Sequence, residues 1–535
     1  LIYTILKFFK MKRRKFNITT SLIALVSAIL LGSCESDLDT TPLDPNVKTE
    51  NSVINDPDGY MGLLAKCYSG LAVGGQTAND GEQDIASING GFSSYLRQYW
   101  NAQELTTDEA ICAWNDGNLR DYHDLDFTTT NEFVTAIYYR INLEISFCNN
   151  LIRLTNGKDN LKQYNTEARF LRAMSYWHLL DLFRTGPFVT ETNKPGIFFP
   201  KQATAQELFN YVESELKAIE NELPQPRANQ YGRADRGAAW MVLAKLYLNS
   251  EVYTGVSKYT ETITYCKKLI DGGYTLESKY ANLFLADNNL RRNEIIFPIC
   301  FDGRNTQTWG GTTYLICASV GGSMNAADFG VGGGWWGLRT TKEFVGKFTD
   351  ITGSTDKRAM VYTDGQSLEI NDIYSFTQGY ALGKYKNVTS TGATGSSTTF
   401  PDTDFPMFRL SDVYLMFAEA VLRGGAGGTR SQALSYVNLV RERAYGVSAG
   451  DPTADITDSQ LTLDFILDER ARELYWEGHR RSDLVRFGKL TSSSYVWAWK
   501  GGVKAGQGVT DKFKTLPIPA SDINSNPNLK QVNGW

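Results

Sequence analysis

Apolar residues recur at helical spacing over much of this chain. Ile137, Ile141, Ile145, Cys148 and Ile152 fall at steps of three or four and predict one buried helix face. Phe170, Ala173, Trp177 and Leu180 share a face of a second helix over about 162–184, which Gly186-Pro187 stops. Thr204 with Glu207 three residues on forms a capping box. The helix it opens carries Leu208, Val212, Leu216, Ile219 and Leu223 on its apolar face. A fourth helix runs from about Ala234 to Asn249, with a partner over about 258–271. Leu410–Leu422 and Ser431–Ala444 form a further pair across Gly424-Gly425-Ala426-Gly427-Gly428. These units have tetratricopeptide character, but they are too degenerate and interrupted for a regular solenoid.

Residues 298–405 break this pattern. They are rich in Gly, Thr, Asp and aromatics and poor in helix formers, which predicts long loops with short strands. Val331-Gly332-Gly333-Gly334-Trp335-Trp336-Gly337 is the extreme case. Loops this long inside a folded chain are usually functional. Residues 491–535 return to loop chemistry, with Leu516-Pro517-Ile518-Pro519 near the end.

The first 33 residues read as an address. Lys12-Arg13-Arg14-Lys15 precedes the apolar run Leu22–Leu31, and Gly32-Ser33-Cys34 follows. This is the layout of a secretory signal, with Met11 as the start and residues 1–10 upstream of it. The run is shorter than the ~20 residues a membrane-spanning helix needs. Leu31-Gly32-Ser33-Cys34 resembles a bacterial lipobox, which makes Cys34 the lipidated first residue of the mature protein. The acidic stretch Glu35-Ser36-Asp37-Leu38-Asp39 resembles a surface-export signal of Bacteroidetes lipoproteins. Residues 35–60 read as a polar tether.

Composition narrows the chemistry. The 535 residues carry a formal charge of -5; the first 33 hold six Lys/Arg and no Asp/Glu, so the mature chain stands at -11. That charge excludes an electrostatic footprint for nucleic acid. With 3 His against 28 Tyr, 27 Phe and 11 Trp, a histidine-based metal site or triad is disfavoured and aromatic recognition is favoured. Six cysteines follow Cys34 without a CxxC pair. Their spacing carries no zinc or redox motif, and buried thiols acting as small hydrophobes account for them.

Several segments together resemble the SusD/RagB family. They are Tyr95-Leu96-Arg97-Gln98-Tyr99-Trp100-Asn101 with Glu104-Leu105-Thr106-Thr107-Asp108-Glu109 and Ala113-Trp114. Ala168-Arg169-Phe170-Leu171-Arg172-Ala173 and Gly232-Arg233-Ala234-Asp235 continue the series. Glu469-Arg470-Ala471-Arg472-Glu473-Leu474 and Asp483-Leu484-Val485-Arg486-Phe487-Gly488 complete it, in the family's order. The resemblance implies a mainly α fold: four tetratricopeptide-like helix pairs supporting a loop-rich face with short strands. It implies two regions, 34–290 and 291–535, packed as one unit. It also implies a non-catalytic, lipid-anchored protein on the outer-membrane surface that captures glycan for a SusC-like, TonB-dependent transporter. The alternative is a peptide- or protein-binding scaffold of a similar transporter complex.

A pyranose offers an apolar face and a rim of hydroxyls, so a glycan site needs exposed aromatic rings bordered by directional polar groups. Trp309, Trp335 and Trp336 lie in Gly-rich stretches where no helix face demands them, unlike Trp177 and Trp240. The resemblance to starch-binding members of the family selects Trp114, Trp309 and Trp335 as an aromatic arc, with Trp336 as the neighbour of Trp335. It matches Arg97 to a sugar-contacting arginine and places Asn89 where such a relative has an aspartate. The relative's contacting asparagine falls at Gly117 here, with Asn118 adjacent. An α-glucan is the ligand this implies. No cofactor is required, and the same resemblance implies a structural Ca²⁺ at Asp287, Asn289, Asp402 and Asp404. Hard oxygen ligands suit that ion, while Asp402 and Asp404 equally suit turn and capping roles.

The charge run of Glu469, Arg470, Arg472, Glu473, Glu477, Arg480 and Arg481 stands at spacings of three and four. These spacings predict structural ion pairs along one helix rather than a catalytic carboxylate pair.

Overall fold

The apolar stripes become helices where the periodicity places them. In the computed structural model the described residues are 52, 54, 56, 58–76, 83–193, 196, 198–532, 534 and 535. The signal sequence, Met11, Cys34, the Glu35–Asp39 stretch and most of the 35–60 tether lie outside them. Tertiary contacts divide the chain into Leu1–Gly62 and Leu63–Trp535, and the second unit carries the helix hairpins and the aromatic loops.

The principal helices are α1 Gly59–Ser69, α2 Tyr95–Trp100, α3 Glu132–Thr155, α4 Lys162–Phe183, α5 Ala205–Ile219 and α6 Arg236–Leu248. They continue with α7 Tyr259–Ile270, α8 Gly311–Ser319, α9 Leu410–Leu422, α10 Arg430–Tyr445, α11 Leu463–Leu474 and α12 Arg480–Arg486. Packing runs α3 on α4, α4 on α5, α6 on α7, α7 on α9 and α9 on α10, so helix hairpins stack into one layer. Ile137, Ile141, Ile145, Cys148 and Ile152 of α3 are all buried. Thr204 and Glu207 close the capping box of α5. Asp235 caps α6 by accepting from Ala238 N at 3.2 Å.

Two details differ from the sequence-based expectation. Helix α4 ends at Phe183 because Arg184 turns left-handed at φ 63°, and Arg184 Nη1 donates back to Leu180 O at 2.8 Å. Gly186-Pro187 instead opens strand β2, Gly186–Phe188, which pairs with β3, Lys201–Ala203. The 298–405 region also contains a helix, α8. Its nine residues are all buried, so tertiary packing overrides the weak local propensity of Gly311-Thr312-Thr313.

Among the described residues the remaining strands are short and also pair two by two, all antiparallel. These pairs are β1 Ile111–Cys112 with β5 Leu338–Arg339, β4 Ile295–Ile299 with β8 Phe405–Arg409, and β6 Val361–Tyr362 with β7 Ala381–Leu382. Strands β4 and β8 are buried throughout. Among the described residues no helix is long and apolar enough to cross a membrane.

The charge run is structural, but its pairing is not the one the spacing suggests. Within it and the segment to Arg486, only Glu469–Arg472, at 2.7 Å, and Asp483–Arg486, at 2.7 Å, bridge at i, i+3. Glu473 instead meets Arg358, Arg409 and Arg443, and Glu477 meets Lys384 at 2.6 Å and Arg409 at 2.6 Å. Arg480 reaches Asp108 at 2.7 Å. These groups are buried, and a buried charge is tolerable only when several fixed partners surround it; one helix cannot supply them. The network therefore ties α11 and α12 to the loops at 358–409 and to the segment after α2.

Candidate functional site

Short strand pairing assembles the aromatic arc. Trp114 follows β1, Trp335 and Trp336 precede β5, and Cys112 lies opposite Leu338. Ala113 N donates to Gly337 O at 2.8 Å, extending the pairing to the edge of the arc. The Trp335 loop is then clipped to the end of α8. Trp335 N donates to Cys317 O at 2.7 Å, Gly337 N to Ala318 O at 2.8 Å and Trp336 N to Val320 O at 3.0 Å. These bonds satisfy carbonyls that a helix end leaves open.

Two glycines of this loop, Gly334 and Gly337, are steric necessities. A Cβ on Gly334 would fall 2.1 Å from Val320 O, and one on Gly337 would fall 2.6 Å from the Trp114 indole. The indole therefore packs directly against the Gly337 backbone. Trp114 Nε1 donates to Trp335 O at 2.8 Å. Ring centroids stand 6.3 Å apart for Trp114–Trp335 and 5.8 Å for Trp335–Trp309, and Trp309 packs on Phe400 at 4.9 Å. All three tryptophans are half-buried, so each keeps an open surface. The structure thus brings Trp114, Trp335 and Trp309 into one continuous row.

Trp336 does not join the row. It is 52% exposed, holds a left-handed backbone at φ 55°, and its ring lies 5.9 Å from Phe376.

Arg97 sits under the row on α2. Its guanidinium stacks over Tyr314 at 4.3 Å and approaches Trp114 at 5.7 Å. Nη1 donates to Gly91 O at 2.9 Å and to Trp309 O at 3.2 Å. At 8% exposed it is chiefly a brace for the Trp309 loop. Burial draws its pKa down, opposed by Tyr314, Cys112 and Asp116. Exposed Asn89 closes the turn that presents Gly91, since its Oδ1 accepts from Gly91 N at 2.8 Å. A chain of contacts therefore runs from Asn89 through Gly91 and Arg97 to Trp309.

Asn118 is placed differently. Its Oδ1 accepts from Glu132 N at 3.2 Å and its carbonyl accepts from Asn131 Nδ2 at 2.8 Å, so it fastens the start of α3. Gly117 has φ 48°, and a Cβ there would fall 2.0 Å from Glu132 Oε1. Glycine and asparagine are the residues that adopt this left-handed backbone most readily, and a side chain there would require the Glu132 carboxylate to move.

Tyr314 and Phe400 support the arc and were not singled out from sequence. Both are buried aromatics in the stretch read as loop, and their only local signal is an aromatic ring among Gly and Thr. Asp116 is exposed beside Trp114 and contributes to the field at Arg97, which makes it a rim group that no sequence motif marks.

The three carboxylates assigned to Ca²⁺ are each engaged by donors of neighbouring loops. Asp287 Oδ1 accepts from Ser390 N at 2.8 Å. Asp402 accepts from Gly303 N at 2.8 Å and from Ser396 N at 2.6 Å. Asp404 accepts from Phe301 N at 2.7 Å and Tyr231 Oη at 2.7 Å, and burial pushes its carboxyl up to about 7. Asn289 is exposed on a short 3₁₀ turn, and it is Asn288 that binds the backbone of Asp404. The three carboxylates form no common cluster of ligand oxygens among the described residues, and each fastens a loop through N–H and O–H donors.

Comparison with known proteins identifies the family. The SusD family matches residues 349–535, and a family described as "Starch-binding associating with outer membrane" matches residues 63–248. The starch-binding protein SusD of Bacteroides thetaiotaomicron is 34% identical over 576 aligned positions, covering 98% of this chain and all of that protein. SusD-like protein P2 of Formosa agariphila is 24% identical, over 84% of this chain and 91% of its own. Among solved structures, a SusD homologue of Bacteroides thetaiotaomicron superposes with a TM-score of 0.71 at 20% identity, over 91% of this chain and 99% of that one. Surface glycan-binding protein A of the same organism, solved with laminarihexaose, gives 0.68 at 20% identity, over 89% and 99%. The match to SusD, 34% identical over 98% of this chain and all of that protein, establishes that the chain belongs to the SusD family.

Proposed function

We propose that this protein is a non-catalytic glycan-binding lipoprotein of the outer-membrane surface. It captures an α-glucan-type oligosaccharide and passes it to a SusC-like, TonB-dependent transporter. The observation that carries the reading is the row Trp114–Trp335–Trp309, half-exposed and braced by Arg97. A row of rings turned by 43° and 66° to one another presents a curved apolar track, which suits a curved glucan more than a flat one. Apolar contact at roughly 25 cal/mol per Å² gives a few kcal/mol over three sugar faces, the scale of reversible capture. The likeness to starch-binding SusD supports an α-glucan, and Cys34 supplies the anchor. The buried, ion-paired carboxylates of the Glu469–Glu477 run support a binding rather than a hydrolytic role.

Calorimetry of the purified chain against malto-oligosaccharides, β-glucans including laminarihexaose, and a peptide panel tests the reading. The expected result is binding to α-glucans, recovery of the sugar intact, and loss of binding when Trp114, Trp309 and Trp335 are all replaced by Ala. Preferential binding of peptides, cleavage of the sugar, or unchanged affinity in the triple variant would overturn it. Replacing Cys34 by Ala should release the protein from the cell surface.

A further inference from the structure

Away from the arc, one cluster of ligand-type side chains lies wholly inside the helical layer. Cys67 on α1 meets Glu144 and Cys148 on α3, and the two sulfurs and a Glu144 oxygen all lie within 4.8 Å of one another. Glu144 and Cys148 are separated by four residues and so project from the same face of α3. Cys148 Sγ donates to Glu144 Oε1 at 3.4 Å. Cys67 and Glu144 are 1% exposed and Cys148 is fully buried.

Glu144 is the unexplained member. Its Oε2 is buried with no hydrogen-bond partner among the described residues, a state that is destabilising unless something else satisfies it. Gly70 keeps room for that oxygen, since a Cβ there would fall 2.2 Å from it. Thiols can replace small hydrophobes in a core, but a carboxyl between two of them needs another reason. Burial pushes the Glu144 carboxyl up to about 8, opposed by Cys148, Lys66 and Arg140.

We propose that Cys67, Glu144 and Cys148 bind a divalent transition-metal ion of the zinc class, joining α1 to α3. Two thiolates and a carboxylate form a donor set that selects such an ion over Ca²⁺ or Mg²⁺. Glu144 Oε2, or a water, completes the coordination. Binding displaces one proton from each thiol and one from the carboxyl, three in all, and no electron is transferred. The neutral cluster becomes a complex of net charge -1. Lys66 and Arg140, both paired to Asp84, stand close enough to compensate it. Cys67 lies far from the other two ligands in sequence, so no short motif announces the site.

The test is titration of the reduced, chelator-treated full chain with Co²⁺, both folded and during refolding, followed by Zn²⁺. The expected result is one Co²⁺ per chain with a near-ultraviolet thiolate-to-cobalt band, displaced by equimolar Zn²⁺, and a higher Tm with Zn²⁺. Cys67→Ser and Cys148→Ser should each weaken binding at least a hundredfold, while Cys266→Ser, a buried thiol elsewhere, leaves it unchanged. Absence of the band in the unmutated chain overturns the proposal, and that measurement needs no variant to fold. So does a band that persists in the Cys67→Ser/Cys148→Ser double variant, or a Cys67–Cys148 disulfide in protein purified anaerobically.

Discussion

The indole N–H of Trp114 donates to the main-chain carbonyl of Trp335 at 2.8 Å. The polar edge of one arc residue is thus bound to the backbone of the next, and Trp114 can meet a ligand only by its ring face. Trp335 stands between Trp114 and Trp309 and touches both. Trp335→Ala is therefore expected to lower glycan affinity about tenfold or more, roughly 1.4 kcal/mol per decade. Calorimetry beside an unchanged Tm checks this.

Gly337→Ala should act on the ligand without touching it. The added Cβ would fall 2.6 Å from Trp114 and force the indole off its seat. The expected outcome is weaker glycan binding with altered tryptophan fluorescence and nearly native helix content. Gly333→Ala, where a Cβ meets nothing, is the control and should bind normally.

Arg97→Lys separates shape from charge. A lysine keeps the cation but cannot stack a planar group on Tyr314 while donating to both Gly91 O and Trp309 O. Binding should fall nearly as far as in Arg97→Ala. Recovery of most of the affinity by lysine would mean that charge alone matters there.

Glu473→Gln should be severely destabilising. Its carboxylate faces Arg358, Arg409 and Arg443 at full burial, and those cations hold its pKa down to about 2 against the cost of desolvation. Removing one buried partner leaves uncompensated charge and costs about 3–5 kcal/mol. Chemical denaturation of the variant measures the loss.

Glu104 and Glu109 predict the alkaline side of the stability profile. Burial pushes Glu104 up to about 7, and burial with the neighbouring Glu104 pushes Glu109 well above its ordinary value. Glu104 Oε1 accepts from Gly478 N at 2.6 Å while Oε2 has no partner, as expected if one proton bridges the two carboxyls. The folded state holds that proton where the unfolded chain, with a pKa of about 4.3, releases it. Their contribution is complete below about pH 4 and is lost as pH rises through about 7. Their contribution to Tm should fall progressively from about pH 4 to about pH 7, and Glu109→Gln, which carries a permanent donor, should flatten that fall.

The sequence by itself determined the helices, their buried faces, the capping box at Thr204 and the presence of tryptophans that no helix face required. Those features are local: a period of three or four residues states which side meets the core, and a glycine-rich stretch states that an aromatic ring has no such duty. It also carried the family motifs, though not what they hold together. The Glu469–Glu477 run looked like ladder pairs along a helix, yet its partners come from elements tens to hundreds of residues away. Helix α8 stayed hidden because burial, not propensity, stabilises it.

Only the tertiary structure decided which aromatic residues converge. Trp114 and Trp335 are 221 residues apart and meet because a two-residue strand pair and three backbone bonds to the end of α8 bring them together. Contacts of that kind have no period and leave no trace in the chain. The same holds for Cys67 beside Cys148. Long-range placement is settled by packing and by backbone groups that every residue carries, and a sequence pattern does not record those.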